Sequence, residues 1–151
     1  MSAVDNKRAR TEEAVGEGAK KLQLYSLATP NGQKIGVALE EMEIPYDAHT
    51  IDIFKNTQFE DWYVKINPNS KIPSIVDPNG PGGEEVHMME SCAILVYLAE
   101  KTGKFLSKDP IKRLETLQWL FFQAAHVGPM SGQYGHFQKH VGKRFAQFLH
   151  G

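Results

Sequence analysis

Three short segments of the chain carry residue types that could do chemistry together. In the first, Thr29, Pro30 and Asn31 stand where an apolar stretch hands over to a helical pattern. A helix N-terminus has unpaired amides and the positive end of the helix dipole, so it favours an anion. A thiolate is such an anion, and the Thr29 hydroxyl and the Asn31 amide can both donate hydrogen bonds to it. Taken on this segment alone, an ordinary helix cap by Thr29 or Asn31 is the plainer reading. In the second segment, Ile72-Pro73 precedes a short apolar run. A proline opening a strand is sterically allowed. With a cis peptide, the Ile72 backbone would turn outward and pair with an extended peptide ligand through main-chain hydrogen bonds. With the commoner trans peptide, the dipeptide is an ordinary strand start. In the third, Glu90-Ser91 opens an apolar helical run. Ser91 is a natural N-cap, and free amides above it would hold a carboxylate. Glu90 beside them would bind an ammonium group. Both charges on one carbon describe an α-amino acid headgroup; a capped helix with an exposed glutamate is the plainer reading.

Other constellations lead nowhere. His136 and His140 are four residues apart, but no third ligand follows at a sensible spacing, so no metal is expected. Gly80-Pro81-Gly82-Gly83 does not precede a helix and is no phosphate loop, and no Ser-His-Asp signature is present. The single cysteine, Cys92, lies within an apolar run and reads as core. One cysteine allows no disulfide framework within the chain and predicts a reducing compartment, the cytoplasm. The 151 residues carry a net charge of −1, which gives no bulk attraction to nucleic acid or acidic membranes. The longest apolar run, Ala93 to Ala99, is far too short to span a bilayer, and the polar N-terminus carries no secretory pattern.

The elements that must position these segments follow from periodicity. Residues 1–21 mix both charge signs without apolar periodicity and read as a disordered tail, in which Lys7-Arg8-Ala9-Arg10 is a solvated basic cluster. Leu22 to Leu27 alternates as a first strand. Ile35, Ala38, Leu39 and Met42 share a helical face, and the helix should end near Ile44-Pro45. Tyr46 to Ile53 alternates as a second strand. Gln58 to Ile66 reads as a short irregular helix with Phe59, Trp62 and Ile66 on one side, followed by an Asn67-Pro68-Asn69 turn. Ser74 to Val76 and Glu85 to Met89 read as strands joined by the loop from Pro78 to Gly83. Ser91 to Thr102 reads as a helix buried on most sides and stopped by Gly103. The order is strand, helix, strand, helix, strand, strand, helix: an α/β domain with a mixed sheet, of thioredoxin-like type, over residues 22–103. A second, all-helical unit over residues 104–151 starts at Asp109-Pro110, with a long amphipathic helix to Gly128-Pro129 and a helical tail from Val141.

The stretches "TPNGQKI", "INPNSKIPSIVD", "MESCAILVYLAEKTGKFL", "LQWLFFQ" and "GPMSGQYGHF" occur in this order. Together they resemble the glutathione-transferase family, especially its Nu class of bacterial disulfide-bond oxidoreductases. They are also similar to the transferase-like fungal regulators of nitrogen catabolism. The resemblance implies that glutathione binds as cosubstrate. Asn31, with Thr29 nearby, would approach its sulfur. Ile72, beside a cis-Pro73, would pair with the cysteinyl backbone, and Glu90 and Ser91 would hold the γ-glutamyl group. Gln58 would contact the glycyl end, and Gln133 and His136 would approach from the helical domain. There is no Cys-x-x-Cys, so thiol–disulfide exchange would use the thiols of bound glutathione. Tyr25 lies within the first strand, away from the family's thiol-activating tyrosine position.

Complete transferases of this family continue for several more helices, so a truncated helical domain is expected. Apolar faces around Leu95, Leu98 and Leu117 would then lack cover, which predicts a homodimer. Three readings compete: a glutathione-dependent disulfide reductase or transferase acting on a disulfide or small electrophile, a non-catalytic glutathione-binding regulatory module, and an inactive truncated homologue.

Overall fold

A computed structural model describes residues 20–150, with side chains described as far as residue 139. The expected tail over 1–21 therefore lies outside the described residues except for its last two. The chain divides between Phe105 and Leu106 into two units, each described by itself.

The first unit contains β1 (Leu22–Ser26), α1 (Pro30–Met42), β2 (Tyr46–Thr50), α2 (Asp61–Ile66), β3 (Ser74–Asp77), β4 (Val86–Met89) and α3 (Ser91–Thr102). Single 3₁₀ turns at Thr57–Phe59 and Pro81–Gly83 interrupt the connections. The four strands form one sheet in the order β2-β1-β3-β4. β1 and β2 are parallel, while β1/β3 and β3/β4 are antiparallel. The parallel pair needs a crossover, which α1 supplies, and the β3–β4 pair closes as a hairpin. This is the mixed, thioredoxin-like sheet the sequence order predicts.

The two long helices of this unit pack against each other. Ile35 and Leu39 of α1, Ile94 and Leu98 of α3 and Ile75 of β3 are all fully buried. Each such side chain contributes about 1.5–3 kcal/mol relative to exposure. Leu22 and Leu24 point into this core, so the intervening register puts Tyr25 on the opposite face, against Tyr63 of α2 at 6.2 Å between ring centroids. α2 thus covers the other side of the sheet through Tyr63. That corrects the expected side of this helix: Phe59 is 60% and Trp62 44% exposed, while Tyr63 is wholly buried.

Three further expectations change at α3. Only Ser91, Ile94, Leu98 and Ala99 are fully buried; Cys92, Leu95, Val96 and Tyr97 are half-buried, and Ala93, Glu100 and Lys101 are exposed, so the helix presents one buried stripe with partly covered flanks. Leu98, expected to lack cover, is fully enclosed, because it faces that stripe. Cys92 lies off the stripe and is half-buried, not sealed in the core.

The C-terminal half of α3 is fastened to β3. Asp77, 2% exposed, accepts hydrogen bonds from Lys101 Nζ at 2.6 Å, Tyr97 Oη at 2.7 Å and the Asn79 amide at 2.9 Å. Burial pushes the Asp77 carboxyl up, but the bonds from Lys101, Tyr97 and Asn79 outweigh it and hold the group below its ordinary value.

In the second unit, Asp109 caps α4 (Pro110–Phe122), its Oδ1 accepting from the Ile111 and Lys112 amides at 3.0 and 2.9 Å. The helix does not stop at Gly128-Pro129 as its sequence predicts. It widens into a π-helical turn over Gln123–Val127 and continues as α5 (Gly128–His150). The Gly128 amide donates to the Gln123 carbonyl, five residues back. The wider turn accommodates Pro129, which has no N–H and would crowd a carbonyl in a regular α-helix. The tail side chains Phe145, Phe148 and Leu149 lie outside the described side chains.

Candidate functional site

Two strand-to-helix junctions and one loop of the first unit meet at an open cavity of about 160 Å³. Asn31, Ile72, Pro73, Glu90 and Ser91 line it, together with Asn67 and Lys71. Residues that the sequence nominates separately are therefore brought to one place.

The first wall is the start of α1. Thr29 is extended, at φ −99° and ψ 162°, and its Oγ1 accepts a 3.3 Å bond from the Gly32 amide. Thr29 is thus the helix cap, with Pro30 in the first turn, where a missing N–H costs nothing. Gly32 is required here: a Cβ on it would stand 2.1 Å from the Leu27 carbonyl oxygen and 2.4 Å from Ser26 Oγ. This close approach carries the chain from β1 directly into α1 and leaves Asn31 at the cavity. Asn31 Oδ1 accepts a 2.9 Å bond from Lys34 Nζ.

The second wall is the loop before β3. Here the Ile72-Pro73 peptide is cis. A buried polar cluster holds the loop. Tyr63 Oη donates to the Lys71 carbonyl at 2.6 Å and lies 2.9 Å from Ser74 Oγ. Asn67 Nδ2 donates to the same carbonyl at 2.7 Å and to Ser74 Oγ at 3.0 Å, and Asn67 Oδ1 accepts from the Asn69 amide at 2.9 Å. Tyr63, Asn67 and Ser74 are each at most 1% exposed, and such groups are tolerated inside only when bonded. Burial pushes the Tyr63 phenol up, against smaller opposing pulls from Ser74 and Asn67, so it stays a proton donor. The Lys71 carbonyl is clamped twice, which fixes the neighbouring Ile72 backbone at the cavity wall.

The third wall is the β4–α3 junction. Ser91 is not the N-cap the sequence predicts; it is the first residue of α3, and Glu90 takes the cap position. Glu90 has φ 69° and ψ 109°, and no side chain caps the helix. A non-glycine residue at positive φ costs about 1–3 kcal/mol and persists where the surroundings impose it. Ser91 is 8% exposed, and its Oγ accepts from Lys34 Nζ at 3.4 Å.

The arrangement suits a zwitterionic headgroup followed by an extended backbone. An uncapped helix N-terminus favours a carboxylate, the exposed Glu90 carboxylate suits an ammonium, and Ile72 offers main-chain groups to a strand-like ligand. Gln58 lies in the 3₁₀ turn before α2 and does not line the cavity; its Oε1 is buried with no hydrogen-bond partner among the described residues. Gln133 and His136 lie on α5, in the second unit. Tyr25 stacks on His49 at 4.7 Å between centroids, and burial first, then Glu85, pushes its phenol up. The sequence reading missed Asn67, Lys71 and Lys34. Asn67 and Lys71 sit inside the quoted "INPNSKIP" stretch, and Lys34 stands one helical turn after Asn31, a spacing that brings side chains together.

Residues 28–101 match the glutathione S-transferase N-terminal domain. The chain is 50% identical over 117 residues to disulfide-bond oxidoreductase YfcG of Escherichia coli, covering 77% of this chain and 54% of that protein. Among solved structures, a glutathione transferase from Pseudomonas putida with one glutathione disulfide bound per subunit superposes with a TM-score of 0.80 at 44% identity. The match covers 95% of this chain and 61% of that one. One from Burkholderia graminis with two glutathione molecules bound per subunit gives 0.81 at 42% identity, over 96% of this chain and 60% of that one. The chain spans about half the length of the curated relatives it matches.

Proposed function

The chain belongs to the glutathione transferase family through its N-terminal domain, and from that membership we propose that its cavity binds glutathione and that the protein is a glutathione-dependent disulfide-bond reductase or transferase. The observation that carries this reading is the convergence of Asn31, cis Ile72-Pro73, Glu90 and Ser91 on one cavity.

In the proposed pose, the γ-glutamyl carboxylate sits at Ser91 and the α3 amides, its ammonium at Glu90, and the cysteinyl backbone along Ile72. That directs the sulfur toward Asn31 and the start of α1, where the amide and the helix dipole stabilise a thiolate. Gln58, which the resemblance places at the glycyl end, lies outside the cavity lining with its Oε1 buried, and carries no part of the proposed pose. The proposed site rests on first-unit residues, and Gln133 and His136 carry no part of it.

Reduction of a disulfide then needs two glutathiones. The first thiolate attacks one sulfur of the substrate, the S–S bond breaks, and a mixed disulfide and one thiolate result. A second glutathione thiolate attacks the glutathione sulfur of that mixed disulfide, releasing glutathione disulfide and the second thiolate; both released thiolates take up protons from water. The two solved relatives, one with two glutathiones bound per subunit and one with glutathione disulfide, support this sequence. No protein thiol takes part, so Cys92→Ser is expected to keep its activity. A glutathione-dependent disulfide reduction assay tests the proposal: acceleration retained in Cys92→Ser supports it, and a folded protein that gives no acceleration contradicts it.

A cytoplasmic location is proposed from the single cysteine. Exposed apolar side chains on α4, Leu114 at 63% and Phe121 at 66%, support a symmetric homodimer, which light scattering would reveal.

A further inference from the structure

Lys34 does not line the cavity, yet its ammonium bonds to two residues that do. It donates to Asn31 Oδ1 at 2.9 Å within α1, and across to α3 it donates to Ser91 Oγ at 3.4 Å. These partners belong to different walls of the same cavity. Resting on the reading that glutathione binds here, we propose that Lys34 is a positioning residue that sets the polarity of both walls, so that each presents hydrogen-bond donors to an anionic ligand.

The argument is one of donor and acceptor inventory. An ammonium has only donors, so any side chain facing it must offer an acceptor. Asn31 must therefore turn its carbonyl branch to Lys34, and the NH₂ branch is left for whatever occupies the cavity. Without Lys34, the amide can rotate by half a turn at little cost and present its carbonyl, which repels a thiolate. Ser91 is governed in the same way. Its oxygen accepts from Lys34, so its single O–H is not spent on that contact and is left to donate to a carboxylate. One half-buried cation thus orients two groups that a sulfur anion and a carboxylate need as donors.

The charge itself acts in the same sense. Among the described residues, Lys71 from the loop before β3 and Glu90 from the β4–α3 junction are the charged residues that line the cavity, and the Lys34 ammonium of α1 contacts Asn31, beside the proposed place of the sulfur. A cation held there favours the ionised thiol over the neutral one.

The test compares Lys34→Met, which keeps the apolar stem and removes the donor, with Lys34→Arg, which restores a cationic donor. Two quantities are read with reduced glutathione: affinity by calorimetry, and the pKa of the bound thiol from its thiolate ultraviolet absorbance. Lys34→Met is expected to weaken binding about tenfold, the factor that 1.4 kcal/mol represents. It is also expected to raise the bound-thiol pKa by about half to one unit, with the melting temperature nearly unchanged. Lys34→Arg is expected to recover most of both. Because Lys34 acts chiefly through Asn31, its effect on the thiol pKa should shrink in an Asn31→Ala background to what the charge alone contributes. A folded Lys34→Met protein with wild-type affinity and wild-type thiol pKa overturns the proposal. So does an undiminished effect of Lys34→Met on the thiol pKa in Asn31→Ala. Should Lys34→Met not fold, failure of Lys34→Arg to retain a lowered thiol pKa overturns it equally. Absence of glutathione binding in the wild type would instead defeat the functional reading on which the proposal rests, and the two failures are told apart by that control.

Discussion

The two helix N-termini that meet at the cavity are built in opposite ways. α1 begins as a finished joint: Thr29 caps it, Pro30 occupies its first turn, and Gly32 lets it lie against Leu27 and Ser26 with no room for a methyl group. α3 begins unfinished: no side chain caps it, and its cap residue, Glu90, holds φ 69°. The difference is compensated at the far end. α3 is anchored by Lys101 and Tyr97 on Asp77, so its N-terminus need not contribute to holding the helix in place. A helix end that is not satisfied by its own chain is available to a ligand, whereas a capped one is mainly structural. Substitutions at the α1 junction should therefore cost stability first, and those at the α3 junction should cost binding first.

The largest effect should come from Gly32→Ala. Its new methyl group would collide with backbone at 2.1 Å, and about 3 kcal/mol of destabilisation is expected by denaturant unfolding. A loss below about 0.5 kcal/mol would mean that the joint is loose and the contrast false.

Next comes the anchor of α3. The Asp77 carboxyl is held below its ordinary value in the folded chain. It therefore adds stability that is fully present above its unfolded value, near 3.8, and lost as pH falls through the lower folded value. Removing the Lys101 ammonium in Lys101→Met takes away part of that depression. Acid unfolding should then start at a higher pH, with about 1 kcal/mol less stability at neutral pH, a modest figure because the Lys101 side chain is 31% exposed. Melting temperature against pH checks both, and an unchanged acid limb would contradict the anchor.

Thr29→Ala should remove one cap, at a cost of about 1 kcal/mol in thermal unfolding. The matching change at the other helix, Glu90→Gly, should do the reverse. Glycine relieves the positive φ and should add about 0.5 kcal/mol of stability while weakening glutathione binding. A Glu90→Gly protein less stable than wild type would mean that Glu90 is structural after all.

The same contrast marks what was legible in the sequence. The sheet order could be read because each strand and each long helix of the first unit keeps its own period, and because Thr29-Pro30 and Gly103 punctuate the helices locally. The α3 cap could not. Ser91 looks like an N-cap by type, and only tertiary packing, with Ser91 buried and bonded to Lys34, moves the helix start so that Glu90 is strained. Tyr63 was hidden for a similar reason. Phe59 and Trp62 are the more apolar residues, but Tyr63 has the hydroxyl that meets Ser74 and the Lys71 carbonyl, and that network decides which side turns inward. The helix that continues through Pro129 breaks a local rule that a π-helical turn can evade, and no sequence period announces that turn.

Calorimetric titration of the purified chain with reduced glutathione, alongside Glu90→Ala, tests the central claim most directly. Binding in the micromolar-to-millimolar range is expected, corresponding to about 4–8 kcal/mol, with at least about tenfold weaker binding in Glu90→Ala at an unchanged melting temperature. A folded wild-type chain that gives no heat at millimolar glutathione would contradict it.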